Sequence, residues 1–133
     1  VRLLGETARI VHGLVQDFGF LQTGEALEHW MEAEKAGDDW IVDPNAFYGP
    51  DDAGNLPTNW STTTDSIAAK LAQQIKAELV LLKSANPPFS GDSSSPSDLW
   101  QAAGYVDAAF AGASTGIRKI GAVNLRSWAD RTR

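Results

Sequence analysis

Two stretches of the chain bring together residue types that can handle an anionic group. Residues 59–66 read Asn-Trp-Ser-Thr-Thr-Thr-Asp-Ser, a dense set of hydroxyls and one carboxylate running into what the pattern predicts is a helix N-terminus. Backbone N–H groups at such an end, together with the helix dipole, attract phosphate or carboxylate ligands, and neighbouring hydroxyls add hydrogen bonds. The same residue types are also the ordinary starters of helices, so on composition alone a plain capping cluster is the favoured reading over an anion site. The second stretch ends on Lys83, the one charged residue of the apolar run Leu79 to Lys83. A lysine at the carboxyl end of a buried strand can aim its ammonium at an anion in the crevice, or it can carry the charge out to solvent on its long stem. Both readings stay open on pattern alone.

Other chemistry is poorly supported. The chain has no cysteine, which excludes disulfides, thiolate catalysis and cysteine-held zinc. His12 and His29 have no third ligand at a metal-binding spacing, so no metal-ligating residue is assigned. Glu25, Glu28, Glu32 and Glu34 read as a solvated acidic face rather than a paired-carboxylate site. Of the tryptophans, Trp30 and Trp40 fall on core patterns. Gly112 to Gly116 is a hydroxyl-bearing turn with weak phosphate-loop character.

The elements that must position these residues follow from periodicity. Ile10, Val11, Leu14, Val15 and Phe18 predict a helix over 6–18 ended by Gly19. A second helix is predicted from the cap Thr23 to Ala36, with Gly37 at its C-cap position and Leu27, Trp30 and Met31 as its core stripe. Trp40 to Val42 reads as a short buried strand stopped by Asp43-Pro44, and residues 43–61 as a long loop. A helix over 65–76, capped by Thr64 or Asp65, carries Ile67, Leu71 and Ile75 on one face. The continuous run Leu79 to Leu82 suits a strand covered on both faces of a parallel sheet. The strands at 40–42 and 79–83, joined by that helix, are expected to form a right-handed βαβ unit. A Ser- and Pro-rich loop spans 85–97, Ser97 caps a short helix to Ala103 ended by Gly104, and Ile117 to Asn124 is the expected last strand.

Length and charge bound the answer. At 133 residues the chain fits one domain able to build a core without staples. The net charge of −6 argues against a nucleic-acid-coating or anionic-membrane-binding protein. Residues 1–66 carry three basic against twelve acidic groups, whereas residues 67–133 carry eight against five, so an anionic ligand is expected nearer the second half. No apolar run approaches the ~20 residues that span a bilayer, and the start lacks a signal-peptide core, so a cytoplasmic protein is expected.

The stretch from Leu56 to Ala72, containing TTDSIAA, and the stretch from Ala77 to Ser84, ending in LLKS, together resemble a segment of the amino acid kinase superfamily. The similarity is greatest to its kinase-like group with a W-x-x-T-x-DSIAA motif. Residues 104–110 (GYVDAAF) and 122–126 (AVNLR) also resemble that group's closing pieces. This resemblance implies a three-layer α/β/α sandwich with a mainly parallel sheet, carbamate-kinase-like, of which residues 1–133 form the C-terminal, nucleotide-side part without its N-terminal portion. It implies transfer of the γ-phosphoryl of ATP to a small-molecule acceptor, with Mg-ATP as cofactor. Asp65 takes the place of the aspartate that lies between the substrates and organises the active-site lysines. Asn59, Thr62, Thr63 and Thr64 match the loop approaching the acceptor and the transferred phosphate. Lys83, Ser84 and Asn86 fall at the strand end beside the nucleotide, and Asp65 and Lys83 are the expected catalytic pair. Association as an oligomer, or with a chain supplying the N-terminal lobe, is the expected partnership. The chain has no Gly-rich phosphate loop, and Ala85-Asn86-Pro87-Pro88-Phe89 replaces the family's Val-Asp-Gly turn, which motivates an alternative: a non-catalytic structural, storage or interaction subunit of the same fold.

Overall fold

The computed structural model of the chain describes residues 2–33, 37–48, 56–57, 59, 61–88 and 96–127. It divides into two compact units, residues 1–54 and 55–133.

In the first unit α1 (Arg2–Leu14) is followed by β1 (Gly19–Leu21), α2 (Gly24–Glu32) and β2 (Trp40–Val42), and a 3₁₀ turn covers Pro44–Ala46. β1 and β2 pair in parallel, Gly19 opposite Trp40 and Leu21 opposite Val42, so β1–α2–β2 is a crossover unit. A side chain at Gly19 has no room, because a Cβ there would lie 2.2 Å from the Trp40 ring. α2 starts where predicted: the Thr23 hydroxyl accepts the Ala26 N–H at 3.2 Å, and Glu25 sits in the first turn. Leu21, Leu27, Ala46 and Tyr48 are buried. α1 makes its close approach through Gly5, where a Cβ would meet Asn45 Nδ2 at 2.4 Å and Asp43 Oδ1 at 2.9 Å.

In the second unit α3 (Thr64–Gln74) precedes β3 (Leu79–Lys83), two short helices α4 (Ser97–Ala102) and α5 (Phe110–Ala113), and β4 (Ile120–Asn124). β3 and β4 pair in parallel with Leu79 opposite Ile120 and Lys83 opposite Asn124. The core of this unit includes Ile67, Leu79, Leu81, Trp100, Val106 and the fully enclosed Phe110. Ala69 and Ala72 on α3 are small enough to let α5 come close, and both are buried. α3 ends in a Schellman closure: Lys76 takes φ 55°, its N–H donates to Gln73 O at 3.3 Å, and the Ala77 N–H donates to Ala72 O at 2.9 Å.

Mixed α/β structure with parallel strand pairs agrees with the expected fold class. Several elements differ from expectation. The strand at 40–42 pairs with β1 and the strand at 79–83 with β4, so these two share no ladder and the predicted βαβ unit is replaced by two others. The pattern missed β1 because three residues carry almost no periodicity, and missed α5 for the same reason. Gly19 opens β1 instead of ending the first helix, which covers Arg2–Leu14 rather than 6–18. Its apolar stripe faces outward, with Ile10 66% and Leu14 79% exposed, because the packed face is that of Gly5. β3 is not covered on both faces: Leu79 and Leu81 are buried whereas Val80 is 57% and Leu82 65% exposed. Its continuous apolar run hides a strict alternation. α3 runs over 64–74 with Thr63 at its N-cap, not Thr64 or Asp65. Ser97 is the first residue of α4 rather than its cap, and β4 starts three residues after Ile117. Trp30 and Trp40 are half-buried rather than enclosed. The end of the second predicted helix, residues 49–55 of the long loop with Thr58 and Trp60, and residues 89–95 lie outside the described residues. No helix among the described residues is long and apolar enough to cross a membrane.

Candidate functional site

The two residues expected to act together do meet. Asp65 occupies the first turn of α3 and Lys83 the last position of β3, and the Lys83 ammonium donates to Asp65 Oδ2 at 2.7 Å. The side chains are 23% and 14% exposed for lysine and aspartate, so the pair is largely withdrawn from water yet reachable. Lys83 gets there because its register position puts it on the same face of β3 as buried Leu79 and Leu81, the side turned to the core.

Tyr105 completes the surroundings of the lysine. Its ring centroid lies 5.2 Å from Lys83 Nζ, within cation–π range. Trp100 meets the ring edge-on at 5.4 Å, and the Tyr105 hydroxyl donates to Ala85 O at 3.1 Å, fastening the segment after β3. Burial, and then the negative charge of Asp65, push the Tyr105 hydroxyl above its ordinary pKa, so it stays a neutral donor. Asn86 is held from the other strand, its Oδ1 accepting from Asn124 Nδ2 at 3.0 Å, while Ser84 is exposed.

The hydroxyl cluster is organised by a residue the pattern did not single out. Asp107 Oδ2 accepts the Thr63 N–H at 2.9 Å, the Thr63 hydroxyl at 2.7 Å and the Ser66 N–H at 3.1 Å, and its Oδ1 accepts the Ser66 hydroxyl. Thr63 makes no side-chain cap of its own, so a carboxylate distant in sequence closes the helix. Burial alone would raise the pKa of Asp107, but the hydrogen bonds from Ser66 and Thr63 outweigh it and hold the carboxyl below the usual range. Two of the amides at this helix start, those of Thr63 and Ser66, are therefore already engaged by an internal carboxylate.

The remaining expected residues divide. Asn59 shapes the approach as an Asx turn, its Oδ1 accepting the Ser61 N–H at 2.9 Å and its carbonyl the Thr62 N–H at 3.1 Å. Thr62 Oγ1 is buried and has no hydrogen-bond partner among the described residues, whereas Thr64 is exposed. Among the described residues no group of three or more His, Asp or Glu side chains is placed to hold a metal ion. His12 stacks on Phe20 at 4.8 Å, consistent with a structural histidine. Tyr105 and Asp107 both lie in the GYVDAAF stretch, whose resemblance to a closing motif is the sequence signal for them, although neither residue was assigned a role.

What the arrangement offers chemically is one ammonium held by one carboxylate over an aromatic ring. That pair fits a single phosphoryl or carboxylate group: Lys83 to neutralise it, and Asp65 to orient the lysine or approach a cation bound with the ligand. Compared with known protein families, curated proteins and solved structures, the chain matches none.

Proposed function

We propose that the chain carries the nucleotide-side part of an Mg-ATP-dependent phosphotransferase of the amino acid kinase superfamily, acting on a small-molecule acceptor in the cytoplasm. The observation that carries the reading is the 2.7 Å contact between Lys83 at the end of β3 and Asp65 at the start of α3. The TTDSIAA and LLKS stretches, which resemble that superfamily, are the ones that supply these two residues. On this reading the finer fold is the three-layer α/β/α sandwich, completed by an N-terminal lobe or a partner chain.

Phosphoryl transfer asks the protein for positioning and charge neutralisation more than for covalent help. Bound Mg²⁺ would neutralise developing charge on the transferred group. Lys83 would turn its ammonium toward that group, Asp65 would fix the lysine's direction, and Thr62 would belong to the loop that approaches it. Thr63 and Thr64 bracket the approach, and Ser84 and Asn86 border the nucleotide. The test is phosphate transfer and thermal stabilisation by Mg-ATP in the full-length protein. Asp65→Asn and Lys83→Ala should abolish transfer while the fold persists; absence of both signals in the unmutated protein would overturn the reading.

A second reading, a non-catalytic subunit of the same fold, is favoured by one observation. The Thr63 and Ser66 amides are engaged by Asp107, and no Gly-rich loop in the sequence offers a second phosphate cradle. Nucleotide turnover by the full-length protein would exclude it.

A further inference from the structure

We infer that Asp107 is a positioning residue for the Asp65–Lys83 pair: it closes the N-terminus of α3 from a turn that also holds Lys83, and so sets where the two charges meet. Its part in phosphoryl transfer rests on the function proposed above; its part in the geometry of the pair does not.

The donors that converge on Asp107 come from Thr63 and Ser66, the residues on either side of the Thr64–Asp65 step. A cap supplied by the neighbouring residue fixes only where a helix begins. A cap supplied from 41 and 44 residues away also fixes where that beginning stands relative to the element carrying it. The Asp107 turn is itself anchored. The Ala109 N–H is shared between Asp107 Oδ1 at 3.0 Å and Ser61 O at 3.1 Å, and Val106 and Phe110 on either side are buried at 6% and 0% exposure. Two residues before Asp107, Tyr105 lays its ring 5.2 Å from Lys83 Nζ. One turn, residues 104–109, thus grips both members of the pair, aspartate through its helix and lysine through an aromatic face. Displacing reacting groups by ~1 Å can cost about 10²-fold in rate, which makes such a clamp consequential for a site whose work is positioning.

The test uses the full-length protein and reads the pair directly. The rate at which acetic anhydride modifies Lys83, followed by peptide mass spectrometry, reports how firmly its ammonium is held. Asp107→Asn keeps the size of the side chain but replaces one acceptor oxygen by a donor. The inference predicts that it raises Lys83 modification about fivefold to tenfold, toward the rate in Asp65→Asn, since a lost cap is a change of about that size. Ser66→Ala, which removes one donor and leaves the carboxylate, should give a smaller rise and keeps the test decisive if Asp107→Asn does not fold. In a kinetic arm, Asp107→Asn lowers kcat with KM for ATP and acceptor little changed. If Lys83 is as slowly modified in Asp107→Asn and Ser66→Ala as in the unmutated protein, Asp107 merely starts a helix and the inference is overturned. If Asp65→Asn itself leaves Lys83 modification unchanged, there is no pair to position, and the inference again fails. If Lys83 responds as predicted while the unmutated protein transfers no phosphate, the positioning role stands and the functional reading fails.

Discussion

The strength of the Asp65–Lys83 interaction can be predicted from its geometry and measured without any ligand. Opposite unit charges about 4 Å apart attract by about 4 kcal/mol at the effective dielectric near a protein surface. Fixing a lysine side chain costs up to ~2 kcal/mol of rotamer freedom, so the net pairing is expected near 2 kcal/mol. That lies above the ~0.2–1 kcal/mol of exposed pairs, as burial to 14% and 23% exposure requires, and below the ~3–5 kcal/mol for breaking a fully buried one. The assay is a double-mutant cycle with Asp65→Asn, Lys83→Met and both together, using urea unfolding followed by the near-ultraviolet circular dichroism of Trp100 and Tyr105. The cycle cancels the separate contributions of Asp65 to the helix dipole and of Lys83 to the Tyr105 ring, leaving the pairing itself. An interaction energy below about 0.5 kcal/mol would mean instead that water screens the contact as it does a surface ion pair, and that Asp65 does not hold Lys83.

Further consequences follow from the same structure. Tyr105→Phe should lose about 1 kcal/mol of stability through the bond to Ala85 O, and Tyr105→Leu more, because the face beneath Lys83 goes too; thermal melts of the two variants give the difference. The Asp107 carboxyl has a folded pKa below the unfolded value near ~3.9. Its stabilisation is therefore fully present above the unfolded value and lost as pH falls through the lower folded one; Asp107→Asn should flatten the acid limb of a stability–pH curve and leave the limb above pH ~6 parallel. Lys76, at φ 55° in the closure of α3, occupies a position that glycine fills without strain; Lys76→Gly should raise stability by about 0.5–1 kcal/mol in urea melts. Phe110→Ala should cost ~3–5 kcal/mol, since the ring is fully enclosed, and is expected to broaden the amide spectrum of β3 and β4.

The parts of the fold legible in the sequence are those with local signatures. Thr23 announced α2 because a cap is a matter of three residues, and Ile67 with its alanines announced α3 because a helix face repeats within eleven. Strand pairing was not legible. The run Leu79 to Leu82 looks alike whether a strand has one covered face or two, and nothing in Trp40 to Val42 says that its neighbour is the three-residue strand at Gly19. The site divides the same way. Asp65 and Lys83 stood out by residue type and by a resemblance to known motifs, and they meet. Asp107 stood out only as part of the GYVDAAF resemblance and not by role, because its donors are more than forty residues away in the chain. The role of Tyr105 is hidden for a like reason: a ring beneath a lysine is a tertiary fact.

The proposed function rests on whether this pair receives the phosphates of a nucleotide. A ¹H–¹⁵N titration of the full-length protein with Mg-ATP tests that most directly. Saturable shifts are expected at the amides of Asp65 and of Lys83 to Asn86, with the shifts at Lys83 lost in Asp65→Asn. Amides at these positions that stay unmoved at millimolar Mg-ATP, in a protein whose unfolding shows the pair intact, would contradict the proposed function.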